Sequence, residues 1–297
     1  MEIRRVGVVG CGLMGSGIAQ VAAQSGFPTV VLEASKPILD AGLARIDQFL
    51  AGGVARGKVR PEDREATLAR LSGSTDPSSI TDCDLVIEAV VEDLRLKRDV
   101  FARAEAHLRP DAILASNTSS LSITEMAAAT ARPGRFVGLH FFNPVPLMKL
   151  VEVVHTLATQ PGVVESVTTF AKALGKTPIH TMDRTGFIVN RLLVPYLLDA
   201  IRCVEEGVGS IADIDQGMKL GCGHPMGPLT LNDLVGLDTT YYIANIMFEE
   251  FRDRRFAPPP LMKRMVMAGF HGRKAGRGFY DYSVEPPRPN DMLTARS

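Results

Sequence analysis

Apolar residues in the first half of the chain fall into short runs separated by longer stretches of helical period. Residues 6–9, 29–32, 85–88, 113–116 and 136–139 are rich in Val, Ile and Leu and predict strands. The stretches 13–25, 36–51, 94–107 and 122–130 place apolar residues three to four apart and predict helices. Such alternation predicts an α/β domain built on a doubly wound, mostly parallel sheet with helices on both faces. Residues 147–154 and 177–181, on either side of a helical stretch at 162–174, add two more strands. After about Asp183 the texture changes: 187–206 is one long helical pattern, and nothing of comparable strand character follows. The predicted division is therefore 1–183 for the sheet domain and 184–297 for a smaller all-α domain. Pro195 is expected to kink the long helix or remove one of its hydrogen bonds. The residues from about Glu285, rich in Pro, Arg and Asn, are expected to trail in solvent.

Composition narrows the class. A chain of 297 residues, 45% hydrophobic and 22% charged, is long enough for two globular domains. Its 33 Lys and Arg balance its 33 Asp and Glu, which argues against a nucleic-acid partner. Cys11, Cys83, Cys203 and Cys222 form no CxxC pair, so the expectation is no disulfide framework, no metal and a reducing, cytoplasmic setting. Cys222-Gly223-His224 lacks a third ligand at useful spacing and predicts a loop. The N-terminus has no signal-peptide pattern, and no apolar run of about 18 residues predicts a membrane span.

Two regions carry candidate chemistry. Gly10-Cys11-Gly12-Leu13-Met14-Gly15 satisfies G-x-G-x-x-G between a predicted strand and a predicted helix. There the glycines permit a tight turn and close approach of a pyrophosphate to the helix N-terminus, the mark of a Rossmann-like dinucleotide site. Glu33, ending the second predicted strand, can hold both hydroxyls of an adenine ribose. A 2′-phosphate there would meet a like charge, so NAD is expected over NADP. The second region joins two segments. Ser116-Asn117-Thr118-Ser119-Ser120 follows the strand at 113–116, at the carboxyl edge where open α/β sheets bind ligands. Its residues also suit a helix N-cap, which is the reading for Ser122. His140 ends an apolar strand, and Glu152 lies within another, on the face of Leu150 and Val154. A buried carboxylate needs a partner, and an imidazole would be the chemically productive one. A satisfied core histidine is the alternative, and spacing does not choose between them.

Taken together, these segments resemble the L-3-hydroxyacyl-CoA dehydrogenases, of the short, single-function 3-hydroxybutyryl-CoA type. The resemblance rests on the loop from Gly10 to Gly17, Glu88-Ala89-Val90-Val91-Glu92, the runs 116–121 and 140–146 with Glu152, Thr185-Gly186-Phe187-Ile188-Val189-Asn190-Arg191, and Gly276-Arg277-Gly278-Phe279-Tyr280. It implies that His140 is the general base, that Glu152 orients it, and that Ser119 and Asn190 hydrogen-bond the reacting oxygen and the imidazole region. It further implies that Glu92, Lys97 and Asn117 line the nicotinamide side, with Asn143 among the NAD-binding residues. Lys58, in the basic stretch Arg56-Gly57-Lys58-Val59-Arg60, would meet coenzyme A, although a solvated turn explains the same charges. A site between the domains and a homodimer through 186–250 are likewise implied.

This sequence departs from the family pattern at Glu33, where Asp is common, at Thr185, where Pro is frequent, and at Ala275, where Thr is frequent. None of these touches His140, Glu152, Ser119 or Asn190. The expected activity is NAD-dependent interconversion of an L-3-hydroxyacyl-CoA and its 3-oxo form. Its rivals are a dehydrogenase of a free hydroxy acid, of sugar acid or carnitine type, and a non-catalytic cofactor-binding protein.

Overall fold

A computed structural model describes residues 1–290 and Leu293. Its two compact units are Met1–Phe187 and the residues from Ile188 onward. In chain order the first unit contains β1 (Val6–Val9), α1 (Leu13–Gln24), β2 (Thr29–Leu32), α2 (Lys36–Ala55), α3 (Pro61–Ala69), β3 (Leu71–Ser74), β4 (Leu85–Glu88), α4 (Leu94–Glu105) and β5 (Ile113–Ser116). It continues with α5 (Ile123–Ala127), β6 (Phe136–Phe141), β7 (Leu150–His155), α6 (Pro161–Ala173) and β8 (Thr177–Met182). The strands form one sheet in the order β3-β2-β1-β4-β5-β6-β7-β8. The order reverses about β1, so the crevice between the carboxyl ends of β1 and β4 is the switch point where such sheets take ligands.

All neighbours pair in parallel except β6 and β7. Only residues 142–149 join these two, too few for the crossover that a parallel pair needs, so the chain turns back on itself. The strand predicted at 147–154 accordingly starts later, at Leu150. Residues 144–148 close a turn in which the Leu147 and Met148 amides donate to the Pro144 carbonyl at 2.9 and 3.0 Å.

Two cores lie against the sheet. One gathers Ile18 and Ala22 from α1, Ile46 and Leu50 from α2, and Val167 and Phe170 from α6 against Val8, Ile87, Leu139 and Val153. The other gathers Phe101 and Ala104 from α4 and Met126 from α5 against Val86, Leu114, Phe136 and Val154. Alternation along each strand sends successive side chains to the two cores. The apolar pattern missed α3 and β3 for a physical reason. α3 buries only Thr67, and β3 is an edge strand, Leu-Ser-Gly-Ser, with no buried residue.

The first unit extends past Asp183. The Asp183 carboxylate accepts hydrogen bonds from the Ile123 and Thr124 amides at the start of α5, where Ser122 is the N-cap as expected. Phe187 is buried in the second core.

The second unit is helical, with α7 (Val189–Glu205), α8 (Ile211–Cys222), α9 (Pro228–Val235), α10 (Leu237–Phe251) and α11 (Pro260–Met267). They enclose a core containing Leu198, Ile201, Leu229, Met247, Phe256 and Phe279. α7 runs through Pro195 without a break in its assignment. One expectation is corrected here. The helical unit also carries a short antiparallel ribbon of β9 (Tyr280–Asp281) and β10 (Arg288–Pro289). The stretch after Glu285 therefore does not simply trail: Arg288 and Pro289 pair with β9, and the Asn290 amide donates to the Phe279 carbonyl. The ribbon is anchored by buried Asp233, which accepts the Phe279 and Tyr280 amides and the Tyr282 hydroxyl. The rest of the tail expected to trail, residues 291, 292 and 294–297, lies outside the described residues.

Entry into the sheet depends on Asp84, just before β4. Its carboxylate accepts the Arg4 and Arg5 amides at 2.8 and 2.9 Å and the Arg109 guanidinium at 2.6 Å. Burial alone would push its pKa up, but these donors outweigh it and hold the carboxyl below 3.8. A carboxyl whose folded pKa is depressed contributes stability above its unfolded pKa and loses it as pH falls through the folded value. Asp84→Asn should therefore cost roughly 2 kcal/mol in thermal or urea unfolding at pH 7. The gap from wild type should close as the pH is taken below 3.8.

Candidate active site

The phosphate loop leaves β1 at Val9 and enters α1 at Leu13. The Gly10 amide donates to the Leu32 carbonyl, tying the loop to the end of β2. Glu33, one residue further on, accepts the Cys11 amide at 2.6 Å and the Ala34 amide at 2.7 Å. The acid expected to hold the ribose is thus already docked on the loop. A side chain at Gly15 would put its Cβ 1.9 Å from the Gly10 carbonyl oxygen, so the helix can press on the loop only with glycine there. At Gly12 a Cβ would meet nothing within 4 Å. That open space lies at the N-terminus of α1, which has no capping side chain and no acid in its first turn. It is the cradle a pyrophosphate requires, and the residues present fit NAD. Leu13 is exposed beside it, while Met14 packs against the first core. Cys11 lies in the loop, but its thiol is buried and pushed up to about 11 by burial, with the charge of Glu33 adding to the effect.

At the carboxyl ends of β4 and β5 a second group is assembled. Lys97 on α4 is 1% exposed, and its ammonium lies 2.6 Å from Glu88 and 3.1 Å from Glu92. The other Glu92 oxygen accepts the Thr118 hydroxyl, the Ser119 amide at 3.0 Å and the Ser120 hydroxyl at 3.3 Å. Burial works against ionisation of Glu92, but Lys97 and these donors hold its carboxyl below the usual range. Ser119 is therefore fixed through Glu92 rather than by capping a helix. Asn117 is also committed, since its side-chain oxygen accepts the Phe141 amide at 2.9 Å and links β5 to β6. Lys97 serves the site through Glu92 rather than by an open face of its own.

The third group follows from the reversal at β7. Antiparallel register sets His140 directly opposite Glu152. Directly opposed residues project to the same face, and here the His140 Nδ1 lies 2.7 Å from Glu152 Oε2. Glu152 is 0% exposed and His140 is 6% exposed. The imidazole ring is flanked by Phe142 at 4.4 Å and Phe187 at 5.6 Å between centroids. Phe187 adopts φ 48°, a left-handed conformation that costs a bulky residue roughly 1–2 kcal/mol. Burial of its ring and a bond from its amide to the Arg184 carbonyl, at 2.7 Å, hold it there. Asn143 follows β6 and is exposed.

Lys58 is exposed in the turn between α2 and α3, beside a depression of about 390 Å³ that Gln24, Asp63, Thr67 and Arg70 also line. Asn190 is the second residue of α7, in the other unit. Among the described residues no group of three or more His, Cys, Asp or Glu is placed to hold a metal ion.

Comparison with known proteins agrees with this geometry. Residues 5–184 match the model of the 3-hydroxyacyl-CoA dehydrogenase NAD-binding domain, and residues 186–282 match that of the 3-hydroxyacyl-CoA dehydrogenase C-terminal domain. The chain belongs to the 3-hydroxyacyl-CoA dehydrogenase family. It is an NAD-dependent oxidoreductase. A Mycobacterium tuberculosis 3-hydroxybutyryl-CoA dehydrogenase is 51% identical over 282 residues, covering 94% of this chain and 99% of that one. The mitochondrial hydroxyacyl-coenzyme A dehydrogenase of Sus scrofa is 48% identical over 288 residues, covering 94% and 91%. The crystal structure of (S)-3-hydroxybutyryl-CoA dehydrogenase from Ralstonia eutropha superposes with a TM-score of 0.92 at 43% identity, covering 95% of this chain and all of that one.

Glu88 and Ser116 lie in segments that carry the resemblance, which implies no role for either. The signal was present, since Glu88 stands in an otherwise apolar strand just as Glu152 does. Phe187 gave no such signal, because nothing in its neighbours' spacing announces a left-handed turn over an imidazole. The loop yields a clean contrast for this dehydrogenase. Gly12→Ala should fold with a melting temperature near wild type yet bind NADH at least tenfold more weakly in a fluorescence titration. Gly15→Ala should lose both stability and binding, because its new methyl group meets backbone.

Proposed function

We propose that the chain interconverts L-3-hydroxyacyl-CoA thioesters and 3-oxoacyl-CoA, with His140 and Glu152 as its acid–base pair. The observation that carries the reading is the 2.7 Å contact between a buried imidazole and a fully buried carboxylate at the ligand-binding edge of an NAD-binding sheet. Held by the Gly10–Gly15 loop and Glu33, the oxidised cofactor would supply the hydride acceptor for C3 of the hydroxyacyl chain, and the reduced cofactor the hydride donor for the ketone. His140 takes the hydroxyl proton in oxidation and gives it back in reduction. With Nδ1 turned to Glu152, Nε2 is the nitrogen that faces this task. Glu152 selects the tautomer with its proton on Nδ1 and stabilises the imidazolium once Nε2 is protonated. Phe142 and Phe187 shield the ring from water.

Ser119 supplies a hydrogen bond to the reacting oxygen, and Asn190 is assigned the same task from the resemblance. Glu33, the Gly10–Gly15 loop, Glu92, Asn117 and Asn143 are the proposed cofactor residues, with Lys97 supporting them through Glu92. Lys58 is the proposed partner of a coenzyme A phosphate, in keeping with its exposed position. A four-carbon acyl chain is favoured, because relatives at 51% and 46% identity are named 3-hydroxybutyryl-CoA dehydrogenases. The family resemblance supports a homodimer through the second unit and a place in fatty acid metabolism. Four free cysteines, two of them buried, fit a reducing compartment such as the cytoplasm. Among the described residues no helix is long and apolar enough to cross a membrane.

Two experiments test the assignment. NADH absorbance should rise when the protein meets NAD with L-3-hydroxybutyryl-CoA and stay flat with free L-3-hydroxybutyrate; turnover of the free acid alone would move the chain to a hydroxy acid dehydrogenase. His140→Gln should lower kcat on the order of 10²–10⁴-fold while NADH still binds. Near-normal turnover in that variant would remove His140 from the mechanism.

A further inference from the structure

Glu88 is the one fully buried carboxylate at this edge that the chemistry above leaves without a task. It ends β4, and both of its oxygens are engaged. Oε1 accepts the Lys97 ammonium at 2.6 Å and the Val90 amide at 2.7 Å, while Oε2 accepts the Ser116 hydroxyl at 2.6 Å. From these oxygens two arms reach the same segment. One runs through Lys97 to Glu92 and on to the Thr118 hydroxyl and the Ser119 amide. The other runs through the Ser116 hydroxyl, which accepts the Thr118 amide at 3.2 Å. The two arms close a ring on Thr118, and Ser119 is the next residue.

The ring also has a charge. Two carboxylates share one ammonium, so one negative charge is left in excess. Burial raises the Glu88 carboxyl above its ordinary range, and Lys97 foremost, then Ser116 and the Val90 amide, pull against that. Strand order decides what this charge faces. Glu33 at β2 takes the adenine ribose and the loop after β1 takes the pyrophosphate, so the other half of a dinucleotide must lie over β4 and β5. An oxidised nicotinamide ring is cationic and a reduced one is neutral. An excess negative charge beneath it favours the oxidised cofactor.

We propose that Glu88 is a positioning residue, which holds the Ser119 segment through Lys97, Glu92 and Ser116 and, by neutralising Lys97, keeps this edge anionic and so raises the affinity for NAD⁺ relative to NADH. The inference rests on the NAD-dependent reading of the site.

The test is equilibrium binding, with NADH titrated by fluorescence and NAD⁺ by competition against it. Glu88→Gln keeps the shape and removes the charge. It should weaken NAD⁺ on the order of threefold to tenfold, as one unit charge at such range in a protein medium would, and should leave NADH within about twofold. Equal weakening of both, or no change in either, overturns the proposal, since a merely structural role would not separate the two forms. Ser116→Ala breaks one arm and leaves Lys97, the strongest of the groups that favour the Glu88 carboxylate, in place. It should lower kcat with the NAD⁺-to-NADH affinity ratio unchanged, and a shift in that ratio as large as that of Glu88→Gln would also overturn the proposal. If Glu88→Gln does not fold, Glu92→Gln, at a half-buried position, removes the same excess charge. It should shift the ratio in the same direction, and an unchanged ratio counts against the idea. Failure of the wild-type protein to bind either form would instead overturn the cofactor reading itself, which separates the two failures.

Discussion

A carboxylate with no access to water can sit in the middle of a sheet only if the neighbouring strand delivers a partner at its level. Glu152 meets that demand through His140, and the remaining features of the site follow from how the partner is brought there. The antiparallel turn between β6 and β7 sets the register, the register makes the two side chains directly opposite, and the parallel strands before them stack their carboxyl ends at the same edge. Leaving either group alone would strand a polar group in a dry interior at a cost of several kcal/mol. The pair is therefore a condition of the fold as much as the proposed instrument of catalysis.

The same logic recurs one strand away, with a different composition. Glu88, Lys97 and Glu92 use charge against charge to keep polar groups inside, and the hydroxyls of Ser116, Thr118 and Ser120 take up the remaining valences. Among the described residues this network holds no cluster placed to bind a metal ion. Its product is a fixed conformation for a short loop of small residues that the backbone alone would leave free to move. On one sheet edge the chain thus combines an open cradle at Gly12, a polar loop fixed at 117–120 and a buried imidazole–carboxylate pair.

Much of this was legible in the sequence, and where it was not the cause is physical. Strands buried on both faces announce themselves as apolar runs, so β1, β2, β4 and β5 were found with their bounds. β3 has no buried residue and α3 has no apolar stripe, so periodicity had nothing to detect. The start of β7 was placed too early because Leu147 and Met148, though apolar, belong to an exposed turn. The ribbon at β9 and β10 escaped notice because two-residue strands carry no pattern, and their anchor, Asp233, lies far away in the sequence. At the site, residue type singled out His140, Glu152 and Glu33, and the fold pairs the first two and docks the third on the phosphate loop. Lys97 and Asn117, which the resemblance puts on the nicotinamide side, have side chains engaged by other residues of the fold.

The cysteines bear on how the protein can be handled chemically. Cys11 stands in the middle of the phosphate loop, where a reactive thiol would expose cofactor binding to every oxidant and alkylating reagent. Burial pushes its pKa up to about 11, so the thiol form dominates at neutral pH. Cys83 is pushed further, to about 12. Cys222, at the end of α8, is exposed. A maleimide dye would thus attach first to the helical unit, giving a spectroscopic reporter on the molecule with the nucleotide loop left untouched.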